Sequence, residues 1–199
     1  MIDLNEFAKE VHANAVAHGW YDGGERTEAE IFANIHSEWS EAFDAYAHGL
    51  PWYYHKCTDV ATPGVICESA EDCYVRKIGK SPDMCFIKDM KPEGIAVELI
   101  DGVIRILDFV GYVNSPDLRI YIVDPYIDTE EDFCELICGL HDSTRCARCY
   151  SRNRDKSLSV IVSESFRIIK KQGLDPEAIM IEKHEYNKTR PYRHGGKVV

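Results

Sequence analysis

The segment from residue 93 to residue 113 constrains the fold most, because almost every position in it is apolar. Its pattern is helical and apolar on nearly all sides, which predicts a buried helix. Among the acids within it are Glu98 and Asp101, and their spacing of three residues places both on one face of the helix. A buried carboxylate without a partner is strongly unfavourable, so the folded chain must neutralise these two side chains.

Helical signals are strong elsewhere in the chain, and strand signals are weak. Thr27 and Glu30 form a capping-box pattern that predicts the start of a helix. Gly173 predicts the end of a later helix, and Asp175-Pro176 predicts the start of the next. The predicted fold class is all-α, a four-helix bundle core in a single domain over residues 1–199. The core helices are expected at about residues 3–18, 27–47, 93–113 and 157–189.

Two segments, about residues 50–92 and 114–155, show no sustained hydrophobic period. They are predicted to be irregular insertions that interrupt the core rather than build it. The second is expected to contain a short extended piece from Leu118 to Val123 and a helix that begins at Asp128 or Thr129.

Four cysteines in the second insertion, with His141 among them, suggest a metal site. Only one pair has the two-residue spacing that is common in zinc sites. The first pair would also suit one face of a short helix as small apolar residues, so a role without metal stays open. The zinc hypothesis assigns a structural Zn²⁺ to Cys134, Cys138, Cys146 and Cys149.

The composition is that of a globular protein, and we expect it in the cytoplasm. Hydrophobic residues make up 45% of the chain and charged residues 29%, a balance typical of folded soluble domains. The first residues contain no long apolar run, so neither a signal peptide nor a membrane contact is expected. The net charge of -11 argues against nucleic acid as a partner, because that binding requires clustered Lys and Arg. An acidic chain still binds phosphate where metal ions bridge the negative charges.

A second pair of acids, Glu38 and Glu41, lies in the second predicted helix with the same spacing of three residues. Two such pairs on facing helices supply about the number of oxygen ligands that one or two Mg²⁺ ions need, with water and phosphate completing the octahedron. The alternative is that the acids pair with Arg105 and other cations or face solvent. The apolar setting of the third helix favours metal binding. For Asp108 the predicted role is an ion pair with Arg105.

The segments IHSEWSEAFDAY and VELIDGVIRILDF, which carry these acids, resemble the paired metal-binding helices of the MazG-like all-α nucleoside triphosphate pyrophosphohydrolases. The segments HGWYDGGERT and KHEYNKTRPYRHGGK are also similar to that family. Two features depart from it: Ser37 stands where another acid is common, and the first insertion lengthens the distance between the paired helices. The resemblance implies a MazG-like four-helix bundle in which Mg²⁺ is coordinated by Glu38, Glu41, Glu98 and Asp101.

The resemblance further implies hydrolysis of a ribo- or deoxyribonucleoside triphosphate to the monophosphate and pyrophosphate, as nucleotide-pool house-cleaning, by a homodimer or homotetramer. Glu38 or Glu41 would then accept the proton of the attacking water. Two other functions stay open. One is a non-catalytic nucleotide-binding sensor or scaffold on the same fold, and the other is a di-metal carboxylate bundle protein. The latter requires Glu-x-x-His pairs, whereas residues 44 and 101 are Asp.

The last helix and the segment after the first helix supply candidate substrate contacts. Lys183, Asn187 and Arg190 fall on one stripe, which suits a triphosphate but also suits the interaction of basic side chains with a helix C-terminus. The similarity of KHEYNKTR to the family segment Lys-x-x-x-Asn-x-x-Arg favours phosphate binding. Trp20 either stacks on the base of the nucleotide or packs beside the helix end.

Overall fold

The computed structural model describes residues 2–56, 66–67, 91–123 and 132–193. Within these residues the chain is mostly helical, as the sequence predicts, with a small antiparallel sheet beside the helices. The α-helices are α1 Leu4–Ala17, α2 Glu28–Ala47, α3 Ile95–Val113, α4 Phe133–Cys149, α5 Arg154–Lys171 and α6 Pro176–Lys188. The strands are β1 Tyr54–Lys56, β2 Ile66–Cys67 and β3 Lys91–Glu93.

Local hydrogen bonds at the helix starts explain where several of these helices begin. Thr27 and Glu30 complete both halves of the predicted capping box at α2. Asp175 accepts hydrogen bonds from two backbone N–H groups at the start of α6, where Pro176 occupies the first turn. The predicted starts of these two helices are therefore confirmed to within one residue.

Helix α3 lies at the centre of the described core. Most of its side chains are buried, and α1 and α2 pack along it, with α6 and α5 in contact as well. Helix α2 contributes one apolar face to this packing, at residues spaced three and four apart: Ile31, Phe32, Ile35, Trp39 and Ala42. No described helix is both long enough and apolar enough to span a bilayer.

Helix α4 lies inside the second predicted insertion, where a helix was expected, but it departs from the prediction that this segment interrupts the core rather than builds it. It contacts α2 and α5 and buries Phe133, Leu136, Ile137 and Leu140, so this part of the second insertion builds the core. These positions do follow helical spacing. Cys134, Glu135 and Cys138 stand between them and obscure that pattern. The predicted helix start at Asp128 or Thr129 lies outside the described residues.

The segment from Leu118 to Val123 is not part of the sheet, although it carries buried apolar residues. Side chains of two neighbouring helices satisfy its backbone instead of a partner strand. Asn5 of α1 both donates to and accepts from the backbone of Ile120, and Ser159 and Ser163 of α5 accept from later backbone N–H groups. The segment therefore joins α1 to α5.

The sheet has the order β2-β1-β3, with both pairs antiparallel. Tyr54 of β1 pairs with Glu93 of β3, immediately before α3 begins. The backbone N–H of Ala96 donates to the carbonyl of Trp52 at 2.9 Å, so the chain entering β1 caps the start of α3. The rest of the predicted first insertion lies outside the described residues.

Candidate functional site

Three of the four predicted acids meet where α2 faces α3. Oxygen atoms of Glu38, Glu98 and Asp101 all lie within 4.8 Å of one another. Glu38 comes from α2, and the other two come from adjacent turns of α3. Glu41 is exposed and lies outside this group, although its charge acts on Glu38 and Glu98. We call Glu38, Glu98 and Asp101 the carboxylate cluster.

Close packing of the two helices brings these side chains together. Trp39, the residue after Glu38, is fully buried, and its indole ring lies against Gly102, the residue after Asp101. The indole Nε1 donates to Thr144 of α4 at 2.9 Å. Helix α4 therefore supports the side chain that sets the spacing of α2 and α3.

Two cations neutralise part of the carboxylate cluster. Arg105 Nε donates to Glu38 Oε1 at 3.0 Å, and Lys183 Nζ donates to Asp101 Oδ2 at 2.8 Å. Lys183 is only 3% exposed, so its ammonium group lies within the site rather than in solvent. Glu38 and Asp101 therefore form the ion pairs that were considered as the alternative to metal binding. Of the three carboxylates, Glu98 is the one that no described cation bonds.

The predicted Arg105–Asp108 ion pair is wrong, because Arg105 is directed towards Glu38. Asp108 is buried between α1 and α3, where residues other than Arg105 form hydrogen bonds with its carboxylate. His12 Nδ1 lies 2.9 Å from Asp108 Oδ1, and the Tyr21 hydroxyl donates to Asp108 Oδ2 at 3.0 Å. Helix α1 approaches this face of α3 and supplies the partner that the buried carboxylate requires.

Glu98 makes no hydrogen bond or ion pair among the described residues. Burial raises the pKa of Glu98 to about 8, with a further rise from the negative charge of Asp101, while Lys183 acts in the opposite direction. Burial likewise raises the pKa of Glu38 to about 7, against the influence of Arg105. In the absence of another cation, a proton therefore supplies the missing positive charge near neutral pH.

The carboxylate cluster fits a divalent metal ion. Opposite ligands of an octahedral Mg²⁺ are about 4.2 Å apart, so oxygens within 4.8 Å of one another need only small side-chain movements to share an ion. All three groups are carboxylates, and oxygen ligands suit hard cations such as Mg²⁺ better than soft ones. Such an ion would also balance the charge that Arg105 and Lys183 leave uncompensated.

Helix α6 carries two of the three predicted basic-stripe residues, Lys183 and Asn187, and Arg190 lies just past its end. Lys183 is bonded to Asp101, and Arg190 is half-buried. Burial lowers the pKa of Arg190, and the nearby Asp101 acts in the opposite direction. Between them, Asn187 lines a small cavity together with Trp20, so the structure brings these two predicted contacts to one place.

Two further residues near the site were not identified from the sequence. Tyr54 of β1 is buried, and burial followed by the charges of Glu93 and Glu98 raises its pKa. His184 of α6 is 1% exposed and lines the same cavity as Trp20. Tyr54 lies in the segment expected to be irregular, so no helical period could indicate its place. His184 could have been suspected from the sequence, because it follows Lys183 directly and is one turn of helix from Asn187.

The prediction that Cys134, Cys138, Cys146 and Cys149 bind one Zn²⁺ together is wrong. All four cysteines lie on the continuous helix α4, with Cys134 and Cys149 near its two ends. Fifteen residues of helix span roughly 22 Å, so the first and last thiols cannot share one ion. The Nδ1 atom of His141 lies 2.8 Å from Nδ1 of His36 on α2.

No protein-family model matches this chain, and no curated protein or solved structure matches it either.

Proposed function

We propose that this chain is a Mg²⁺-dependent nucleotide pyrophosphohydrolase, which cleaves a nucleoside triphosphate to the monophosphate and pyrophosphate. The observation that carries the proposal is the unbalanced carboxylate cluster, in which Arg105 and Lys183 pair with two acids and leave Glu98 unpaired. The resemblance of both acid-bearing segments to the MazG-like family supports the same conclusion.

Glu38, Glu98 and Asp101 would hold the ion. Bound there, Mg²⁺ would supply electrostatic stabilisation of the phosphates and lower the pKa of a coordinated water. Arg105 and Lys183 orient the carboxylates of Glu38 and Asp101, so these oxygens are pre-positioned before any ligand arrives.

In the proposed reaction a water oxygen forms a bond to the α-phosphorus, and the bond from that phosphorus to the bridging oxygen of the β-phosphate breaks. Pyrophosphate leaves with the bridging oxygen. We assign the proton of the water to Glu41, because its carboxylate is exposed and lies outside the ion pairs, whereas Glu38 is held by Arg105. We assign the binding of the leaving phosphates to Arg190, whose charge interacts with that of Asp101.

The ion pairs also favour one alternative, a nucleotide-binding sensor or scaffold without turnover. Cations already occupy Glu38 and Asp101, and an ion-paired acid can serve stability alone. The di-metal bundle is less well supported, because the group that could hold a metal contains carboxylates and no histidine in the described part of the chain.

The deciding experiment incubates the purified protein with a panel of ribo- and deoxyribonucleoside triphosphates and Mg²⁺. Monophosphate, pyrophosphate and orthophosphate are quantified separately. The proposal predicts monophosphate and pyrophosphate in equal amounts, and no activity after chelation of the metal. Glu98→Gln should lower kcat by roughly two orders of magnitude, the loss of one strong electrostatic contributor. The exposed Glu135 of α4 supplies a matched control, and Glu135→Gln should retain full turnover.

Nucleotide binding without any product, in the presence of Mg²⁺, would instead establish the sensor. Release of orthophosphate without pyrophosphate would contradict the proposed bond cleavage. The metal content of the purified protein tests the di-metal bundle. A protein of that kind would retain iron through purification and would show no dependence on added Mg²⁺.

A further inference from the structure

Two histidines from different helices meet outside the carboxylate cluster. His36 lies on α2 and His141 lies on α4, and their Nδ1 atoms are 2.8 Å apart. The two rings are nearly parallel, with 7° between their planes and 5.1 Å between their centroids. Both side chains are half-buried where α2 contacts α4, so solvent still reaches them. We call His36 and His141 the histidine pair.

The histidine pair directs two nitrogen atoms towards one point. One Nδ1 donates its proton to the other, which accepts it with a lone pair. Burial lowers the pKa of both side chains; the charges of His141 and Arg148 lower that of His36 further, while Asp142 acts in the opposite direction on His141. Both rings are therefore neutral near neutral pH, and neutral imidazole is the commonest side-chain ligand for metal ions.

The spacing of the histidine pair is close to the one that a shared metal ion requires. Zinc-to-nitrogen bonds are about 2.0–2.1 Å long, so two nitrogens on a tetrahedral ion are about 3.3 Å apart. The observed separation of 2.8 Å needs to widen by only about 0.5 Å, a small rotation of either ring. The ring that carries the proton on Nδ1 changes tautomer and carries it on Nε2 instead, so the pair gains and loses no proton overall.

Water completes the coordination of such an ion. Within the described parts of the chain, no third His, Cys, Asp or Glu joins His36 and His141 in a group whose ligand atoms all lie within 4.8 Å of one another. The partial exposure of both rings gives water access to the remaining positions. Two imidazoles and water suit a borderline ion such as Zn²⁺, whereas the carboxylate cluster suits Mg²⁺.

We propose that His36 and His141 together bind a divalent transition-metal ion of the zinc type, at a site separate from the carboxylate cluster. The site is independent of the proposed hydrolysis, because it contains no residue of that cluster. His141 thus has a role in metal binding with a residue of another helix, rather than with the cysteines around it in the sequence.

A metal ion at the histidine pair would fasten α2 to α4. His36 is three residues before Trp39, and His141 is three residues before Thr144, which accepts the hydrogen bond of the Trp39 indole. The ion therefore lies one helical turn along each helix from the contact by which α4 supports Trp39. Its effect is to stabilise the folded protein, as any ligand of the folded state does.

The test compares wild type with His36→Asn and His141→Asn. The asparagine amide keeps a hydrogen-bonding atom near the place of Nδ1 but removes the imidazole, so the variants separate a metal ligand from a hydrogen-bonding residue. His48→Asn is the matched control, because His48 is exposed at the end of α2. Calorimetric titration with Zn²⁺, in excess Mg²⁺ to occupy the carboxylate cluster, gives the number of ions bound and their Kd. Thermal unfolding with and without Zn²⁺ reports folding and stabilisation.

We expect wild type and His48→Asn to bind Zn²⁺ equally and to gain the same increase in Tm. In His36→Asn and His141→Asn, one Zn²⁺ per chain should be lost or bound at least about tenfold more weakly, since even a residue that only orients a metal ligand contributes about 10- to 100-fold to affinity. The Tm increase should shrink in both variants. Equal stoichiometry, Kd and Tm increase in all four proteins would overturn the proposal.

A second measurement needs only the wild-type protein, so it holds even if a variant fails to fold. Histidine side-chain nitrogens are followed by ¹H–¹⁵N NMR, and cysteine β-carbons by ¹³C NMR, as Zn²⁺ is added. The proposal predicts that the Nδ1 signals of His36 and His141 shift together as the first equivalent binds. Shifts confined to cysteine signals, or binding of Zn²⁺ that leaves both Nδ1 signals in place, would refute the site.

Discussion

Gly102 lies against the indole ring of Trp39 so closely that a β-carbon at position 102 would stand 2.2 Å from Trp39 Cζ3. Each of these residues follows an acid of the carboxylate cluster, since Glu38 precedes Trp39 and Asp101 precedes Gly102. Their contact is therefore what lets α2 and α3 approach closely enough for the acids to share one site. A side chain at position 102 would force the two helices apart or displace the ring.

Gly102→Ala is expected to destabilise the protein by about 1–3 kcal/mol, the usual effect of overpacking a tight interior. Metal-dependent activity should fall as well, because Glu38 and Asp101 separate. Urea unfolding and Mg²⁺ titration of activity measure the two effects. Gly139→Ala is the control: position 139 on α4 has nothing within 4 Å, and alanine there should stabilise the helix slightly. A Gly102→Ala protein as stable as wild type would show that the contact does not set the helix spacing.

In the absence of divalent metal, stability should fall as pH rises from near 7 to above 8. The pKa of Glu98 in the folded protein is about 8, above its ordinary value of 4.5, so the folded state binds more protons than the unfolded state between these values. This contribution to stability is present below pH 4.5 and is lost as pH rises through about 8. Glu98→Gln should flatten the dependence.

Urea unfolding in the presence of a chelator, at several pH values above 6.5, measures this effect. The measurements stay above pH 6.5 because three buried histidines titrate below it. Burial lowers the pKa of His36, His141 and His184 below 6.5, so these residues destabilise the fold as pH falls, opposite to the effect of Glu98. Added Mg²⁺ should remove the loss at high pH in wild type. An identical pH slope in wild type and Glu98→Gln would rule out Glu98 as its source.

Removal of Lys183 should affect stability as well as substrate binding, because the side chain is buried against Asp101. Lys183→Met leaves an uncompensated carboxylate in the interior, at a cost of about 3–5 kcal/mol. The double change Lys183→Met with Asp101→Asn should recover much of that loss, since neither charge then remains. A double-mutant cycle by chemical unfolding measures the coupling. Additive effects of the two changes would mean that the ion pair contributes nothing to the fold.

Arg190→Ala should behave differently, because Arg190 is half-buried and forms no ion pair among the described residues. We expect near wild-type stability, a KM for nucleoside triphosphate raised about tenfold, and an unchanged Mg²⁺ dependence. Arg145 of α4, exposed and distant in sequence, supplies the control variant Arg145→Ala. Steady-state kinetics together with thermal unfolding check the prediction. A KM equal to that of wild type would remove Arg190 from the substrate site.

Much of the fold could be predicted from the sequence, because neighbouring residues determine where several of its helices begin. The capping box of Thr27 and Glu30 and the Asp175-Pro176 start are short-range hydrogen-bonding patterns, and the structure confirms both. A helix was predicted in the second insertion, but its place in the core was missed, because the cysteines around His141 suggested metal binding rather than packing. Short sequence patterns do not show which helices pack together. The packing of α4 against α2 and α5 makes it part of the core.

The sequence by itself determined the candidate acids, their spacing on each helix and the apolar surroundings of Glu98 and Asp101. The tertiary structure alone decided which cation meets which acid. Arg105 pairs with Glu38 across 67 residues of chain rather than with Asp108 on its own helix, and Lys183 reaches Asp101 from the last helix. The physical reason is that each buried charge takes the partner that packing brings within hydrogen-bond distance, and that distance depends on helix contacts such as Gly102 with Trp39.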